Sequence, residues 1–200
     1  MFIHDLKVLI LIRKIIGARA YNSPDDDDDD DDDDDGLDNT PRDMIGHGTH
    51  VASTAAGTVV PDASYYGLAT GTAKGGSPGS RIAMYRVCTR YGCHGSSILA
   101  AFSDAIKDGV DILSLSLGSP ASFMLDYKED PIAIGAFHAV ENGITVVCSA
   151  GNDGPSEETV TNVAPWILTV AATTIDRKFE SNVVLDGGKV IKVMEFFSSN

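Results

Sequence analysis

Three short stretches of this 200-residue chain carry residue types that can do chemistry together. The first is Gly46-His47-Gly48-Thr49-His50-Val51-Ala52-Ser53-Thr54-Ala55-Ala56-Gly57, which sets a histidine at the mouth of a helix built from small residues. A neutral imidazole standing over a reaction centre can take up a proton as a general base. The second is Ser149-Ala150-Gly151-Asn152, a polar turn directly after an apolar run. The side-chain amide of Asn152 can donate to negative charge developing on a carbonyl oxygen, which stabilises the transition state more than the ground state. The third is Ser116-Leu117-Gly118, whose backbone groups can take an extended peptide as an added strand, with Gly118 permitting close approach. A base, an oxyanion donor and a peptide-binding edge together suit acyl transfer on a polypeptide. His47 and His50 stand one turn apart, but no HExxH pattern or further ligand set accompanies them, so no metal site is read here. The glycine-rich residues 71–79 place Lys74 wrongly for a phosphate loop and do not link a strand directly to a helix.

The elements that must hold these groups alternate in type. Residues 14–21 read as a short strand rich in β-branched residues, and 81–87 as an apolar strand of the buried type. The helix opening at Gly46 is expected to end near Gly57, with His50 packing behind His47. Residues 60–80, rich in Gly, Ser and Pro, read as loop. Ser96 or Ser97 can cap the next helix, whose Ile98, Phe102, Ala105 and Ile106 share one face and which Gly109 ends. Residues 111–118 alternate as a strand. Pro131 suits the first turn of a third helix, where Ile134, Phe137, His138 and Val140 are expected on the apolar side, making His138 a buried core histidine. Residues 144–152 and 166–173 read as further strands. Strands separated by helices of this length predict a parallel sheet with helices on both faces, and in such sheets functional groups gather past the strands' carboxyl ends. Residues 116–118 and 149–152 both fall at such ends.

Composition excludes several functions. The net charge is −14, but eleven of the acidic residues form one run, Asp25 to Asp35, which leaves only −3 for the rest. No basic patch suits nucleic acid, and nothing approaches the length of a membrane span. The aspartate run repels itself and lacks apolar surface, so a solvated, disordered insert is expected. Cys88 and Cys93 are close enough to close a short loop in an oxidising compartment, or to remain two half-buried thiols. Cys148 reads as a small core residue. The start, MFIHDLKVLILIRK, has neither the long apolar region nor the cleavage site of a secretory signal.

These motifs together resemble one family. KIIGARAYN, PRDMIGHGTHVASTAAG, GGSPGSRIAMYRVC, ILAAFSDAIKDGVDILSLSLG, DPIAIGAFHAVENGITVVCSAGNDGP and APWILTVAATTIDRKFESNVVL are all similar to the subtilisin-like serine proteases, the subtilases, of the plant branch. The resemblance covers residues 14–192, after an atypical segment 1–13 and before a tail 193–200. It implies an α/β fold, a three-layer α/β/α arrangement around a mainly parallel sheet, present incompletely. It implies serine endopeptidases acting on peptide or protein substrates, secreted, with no cofactor and no metal carried over. By resemblance, His47 is the triad histidine, Asn152 the oxyanion asparagine, and Ser116, Leu117, Gly118, Ser149, Ala150 and Gly151 line the substrate cleft.

Some parts of the family pattern have no counterpart here. The triad aspartate is expected at the end of an interior strand, in a context like DTGIWPES, and Asp5 has none of it. The triad serine belongs to a GTSM-type turn opening a central helix, and no serine present has that context. Without that serine His47 has no nucleophile to activate, and without the aspartate its ring loses the partner that fixes its tautomer. The chain is therefore expected to be inactive alone, with sheet edges and apolar surface left open. A non-catalytic peptide-binding or regulatory remnant, and a product that never accumulates folded, stand as alternatives.

Overall fold

The computed structural model describes residues 2–4, 14–22, 40–89, 92–175 and 180–194. The aspartate run expected to be a disordered insert lies outside the described residues. In chain order the elements are β1 (Phe2–His4), β2 (Ile15–Ala20), α1 (His47–Ala56), β3 (Val60–Tyr65), β4 (Leu68–Ala73) and β5 (Arg81–Arg86). There follow β6 (Cys88–Thr89), β7 (Gly92–Cys93), α2 (Gly95–Asp108), β8 (Ile112–Leu115), α3 (Pro131–Glu141), β9 (Thr145–Ser149) and β10 (Leu168–Val170). A hairpin of β11 (Glu180–Val184) and β12 (Val190–Met194) closes the order.

Among the described residues one six-stranded sheet forms, in the order β10-β9-β8-β1-β5-β2. The β10–β9, β9–β8 and β5–β2 pairs are parallel, as the alternation of strands and helices requires. The exception is β1, which runs antiparallel to both neighbours, opposing Arg81, Ile82 and Ala83 on one side and Ile112 and Leu113 on the other. β1 thereby makes the sheet continuous between β8 and β5, with no open edge there.

The core lies between the sheet and the α2–α3 pair. Alternate residues of the strands enter it: Ala83 and Tyr85 from β5, Leu113 and Leu115 from β8, Val146 and Cys148 from β9. Period-two alternation sends these side chains to one face. Leu113 and Val146 are at most 1% exposed, and full burial of such a side chain contributes about 1.5–3 kcal/mol. The helices meet them through Ile98, Ala101, Phe102 and Ala105 of α2 and Ile132, Ala136 and Ala139 of α3. At the edge, Arg19 of β2 bridges Asp104 at 3.2 Å and Asp108 at 3.0 Å, and the Tyr21 hydroxyl donates to Asp104 at 2.9 Å. Burial, then the bond to Asp104, pushes the Tyr21 hydroxyl up to about 12. These contacts fasten β2 to α2 as well as to β5.

Several sequence expectations need correction. Residues 60–80 contain the β3–β4 hairpin, with Tyr65 opposite Leu68 across a two-residue turn. Tyr66 and Gly67 have φ 49° and 82°, the left-handed pair that suits the twist of a tight hairpin. Register shifts between Val60 and Ala63, and again before Tyr65, break the alternation that would have marked strands. The second helix begins at Gly95, with His94 at its N-cap, and Ser97 lies buried in the first turn. Gly95 enters the helix directly against the Pro131 ring, so a tertiary contact sets that start. On α3, Ala133, Gly135, Ala136 and Ala139 are buried, whereas Phe137 and His138 face outward. His138 is exposed and pairs with Glu141 at 3.3 Å. The small residues are buried because α2 packs close there: a methyl on Gly135 would overlap the Phe102 ring. Gly135→Ala should thus lower stability by about 1 kcal/mol or more despite the better helix propensity of alanine. Urea unfolding checks this, and an unchanged or raised midpoint would remove the close-packing explanation.

Candidate active site

The N-terminus of α1 is built by a carboxylate three residues upstream of its cap. Gly46 occupies the N-cap at φ 94°, a left-handed position that suits glycine, and has no side chain with which to cap. Asp43 supplies the missing acceptor. Its Oδ1 accepts from the Ile45 N–H at 3.0 Å and the Gly46 N–H at 2.7 Å. Its Oδ2 accepts from both the Thr49 N–H and the Thr49 hydroxyl, each at 2.7 Å. These bonds, the Thr49 hydroxyl foremost, hold the Asp43 carboxyl well below the usual carboxylate range. His47 is the first residue of the helix so anchored, and it is exposed. His50, expected to pack behind it, is exposed too, because α1 buries only Ala56 completely.

His47 opens onto a cleft of about 490 Å³. One wall comes from the α1 entry, with Asp43, Met44, Ile45 and Val51. The carboxyl half of β5 lines it through Met84, Tyr85 and Arg86, and Val87 follows directly after. Ser116 and Leu117, just past the carboxyl end of β8, line it as well. The β6–β7 hairpin contributes Cys88, Thr89, Gly92 and Cys93. Cys88 and Cys93 face each other across that hairpin with Cα atoms 4.1 Å apart and are disulfide-bonded, which decides between the two readings of this pair. Cys148, by contrast, is free and buried, and burial raises its thiol to about 12, so it carries little thiolate near neutral pH.

The structure brings together His47, Ser116 and Leu117 in this cleft. Gly118, Ser149, Ala150, Gly151 and Asn152 do not line it. They lie past the ends of the adjacent parallel strands β8 and β9, where Leu115 is paired with Cys148. Ala150 is buried, Ser149 half-buried, and Gly118, Gly151 and Asn152 exposed. Gly118 does permit a close approach, but to a protein group: a Cβ there would stand 2.9 Å from Asn162 Nδ2. Gly151, at φ 84°, approaches Thr161 in the same way, its Cβ position 3.0 Å from the hydroxyl. Sequence reasoning missed Asp43 and Asn162. An aspartate ahead of a helix start is a recognised capping signal, although Met44, Ile45 and Gly46 stand between. No pattern in the sequence marks Asn162, whose importance comes only from tertiary contact.

A parallel-sheet α/β chain with a histidine at a helix mouth, facing loops past the strand ends, has the plan of a subtilisin-like domain. The chain belongs to the subtilase family, peptidase S8, whose sequence model matches residues 10–195. The CO(2)-response secreted protease of Arabidopsis thaliana is 68% identical over 188 residues, covering 94% of this chain and 23% of that protein. The subtilisin-like protease SBT5.1 of the same plant is 60% identical over 193 residues, with 94% and 23% covered. This chain thus spans about a quarter of the length of these curated relatives. Among solved structures, sphericase superposes at a TM-score of 0.50 with 26% identity, over 78% of this chain and 46% of that one. The fold is therefore an incomplete form of the subtilisin-like α/β arrangement.

The Asp43 carboxyl has a folded-state pKa below its unfolded value of about 3.9, so its stabilising contribution is complete above about pH 4. It is lost as the pH falls through the folded value. Asp43→Ala should cost about 0.5–1 kcal/mol at pH 7, the lower part of the capping range because the carboxylate meets solvent. Amide exchange should quicken at Gly46 and Thr49, and the stability difference should shrink toward pH 2. A difference that stays constant from pH 7 to pH 2 would contradict the capping role.

Proposed function

We propose that this chain is the histidine-bearing part of a secreted subtilisin-like serine endopeptidase. Residues 14–192 form the partial peptidase domain. His47 acts as the general base, taking the proton of a serine nucleophile, and Asn152 donates to the oxyanion of the tetrahedral intermediate. Ser116, Leu117 and Gly118, with Ser149, Ala150 and Gly151, receive the peptide. The observation that carries this reading is the shared cleft, in which the helix-borne His47 faces Ser116 and Leu117 at the end of β8. Family membership and the high identity to plant subtilases support the chemistry. The Cys88–Cys93 disulfide supports an oxidising, extracellular setting, since such bonds persist there and are rare in the cytosol. Among the described residues no helix is long and apolar enough to cross a membrane.

These 200 residues alone do not hydrolyse peptides. None of their serines stands in a GTSM-type turn, and Asp5 lacks the context of a triad aspartate, so the sequence offers His47 no recognisable nucleophile or orienting partner. What is left to the isolated chain is the cleft, and with it weak binding of extended peptides.

A fluorophosphonate probe tests the reading directly. The isolated chain should remain unlabelled, whereas a polypeptide carrying these residues together with the aspartate and serine segments should be labelled and should cleave peptides. In that longer protein His47→Ala should reduce kcat by a factor on the order of 10⁶, the scale measured for subtilisin itself. Asn152→Leu should reduce it by about 10²–10³, again the subtilisin scale. Covalent labelling of the isolated chain would overturn the inactivity claim. Full turnover after loss of His47 would overturn its role.

A further inference from the structure

The two segments that would receive a peptide come from separate parts of the chain, and one side chain joins them. Asn162 is 8% exposed and holds φ 56°, a left-handed conformation that asparagine accepts more readily than most other residues. Its Nδ2 donates to the Leu117 carbonyl at 3.0 Å and to the Ser149 carbonyl at 2.9 Å. An amide nitrogen has two hydrogens, so this donor is fully used. The Asn162 carbonyl accepts in turn from the Thr169 hydroxyl at 2.6 Å. Next to it, the Thr161 N–H donates to the Ala150 carbonyl at 3.0 Å. Gly118 and Gly151 fit around the same two residues, since a Cβ on either would come within 3.0 Å of an Asn162 or Thr161 side-chain atom. Strand β10 supplies the anchor through Thr169, and the ends of β8 and β9 are what it holds.

We propose that Asn162 is a positioning residue, whose side-chain amide fixes the spacing and facing of the two peptide-receiving segments. This rests on the peptide-cleft reading given above. In an extended chain successive carbonyls point to opposite sides. Turning the Leu117 carbonyl inward onto Asn162 directs the Ser116 and Gly118 carbonyls outward, where an added strand pairs. Holding the Ser149 carbonyl from the same nitrogen ties the Ala150-Gly151-Asn152 turn to that edge, so the peptide-binding edge and the oxyanion donor keep one fixed relation. Asparagine suits this position on two grounds, because it tolerates the left-handed backbone and offers two donors on a short arm. Aspartate would set an acceptor against two carbonyl acceptors.

The test uses the whole 200-residue chain, ¹⁵N-labelled and titrated with acetyl-pentaalanine amide, a probe that reports backbone pairing without side-chain preference. Asn162→Gly keeps the left-handed backbone unstrained and deletes only the amide. It should weaken peptide binding at least tenfold and quicken amide exchange at least tenfold at Gly118 and Gly151. Core amides of α2 and α3 should keep their protection. Asn162→Asp should lose at least as much. If Asn162→Gly does not fold, Thr169→Val, which frees only the Asn162 carbonyl, should shift the same resonances and weaken binding by a smaller factor. Unchanged peptide affinity in a variant that has lost these bonds overturns the positioning role while leaving the cleft reading intact. Failure of the unaltered chain to bind the peptide at all overturns both.

Discussion

The parallel pairing of β8 with β9 is the constraint on which the site depends. Leu113 lies beside Val146 and Leu115 beside Cys148, all buried against α2 and α3, so the two strands cannot slide without exposing the centre of the core. Because they run in the same direction, their carboxyl ends emerge side by side. The two segments proposed to receive a peptide lie at that shared end. Ser116 and Leu117 extend β8 toward the cleft, residues 150–152 extend β9, and α1 reaches β5 to present His47 from the other side. The core is made by small-residue helix packing and strand alternation, and the site inherits its register from them.

Much of this was legible because burial and periodicity agree. The strands β5, β8 and β9 are short apolar runs ended by glycine or polar residues, and α1 is framed by Gly46 and Gly57. The third helix shows where periodicity misleads. Its large residues, Phe137 and Val140, suggest the core face, yet alanines and Gly135 are buried because the Phe102 ring needs room. Hydrophobic size marked one face and packing clearance selected another, which carried His138 into solvent. The β3–β4 hairpin escaped for a related reason: its register shifts spoil the alternation, and its residues are almost all exposed.

The site was legible in its residues and opaque in its connections. His47 and the two strand-end turns stand out because glycine and polar residues interrupt apolar runs. Asp43 and Asn162 do not, although each makes bonds that hold a backbone end in place. One gathers three backbone N–H groups and a hydroxyl, and the other bridges two carbonyls. Such residues act through geometry that only the folded chain creates. A sequence reports what a residue can offer, and tertiary structure decides who accepts it.

The antiparallel β1 carries a consequence for how the chain assembles. Its three residues are the seam between two parallel blocks, β5 with β2 and β8 with β9 and β10. These residues precede both partners in the chain, and those on the β8 side, Ile112 and Leu113, are made long after them. The order of synthesis therefore runs against the order of assembly. Each block can close its own ladder as it emerges, and the sheet becomes a single object only when the earlier-made β1 is inserted between them.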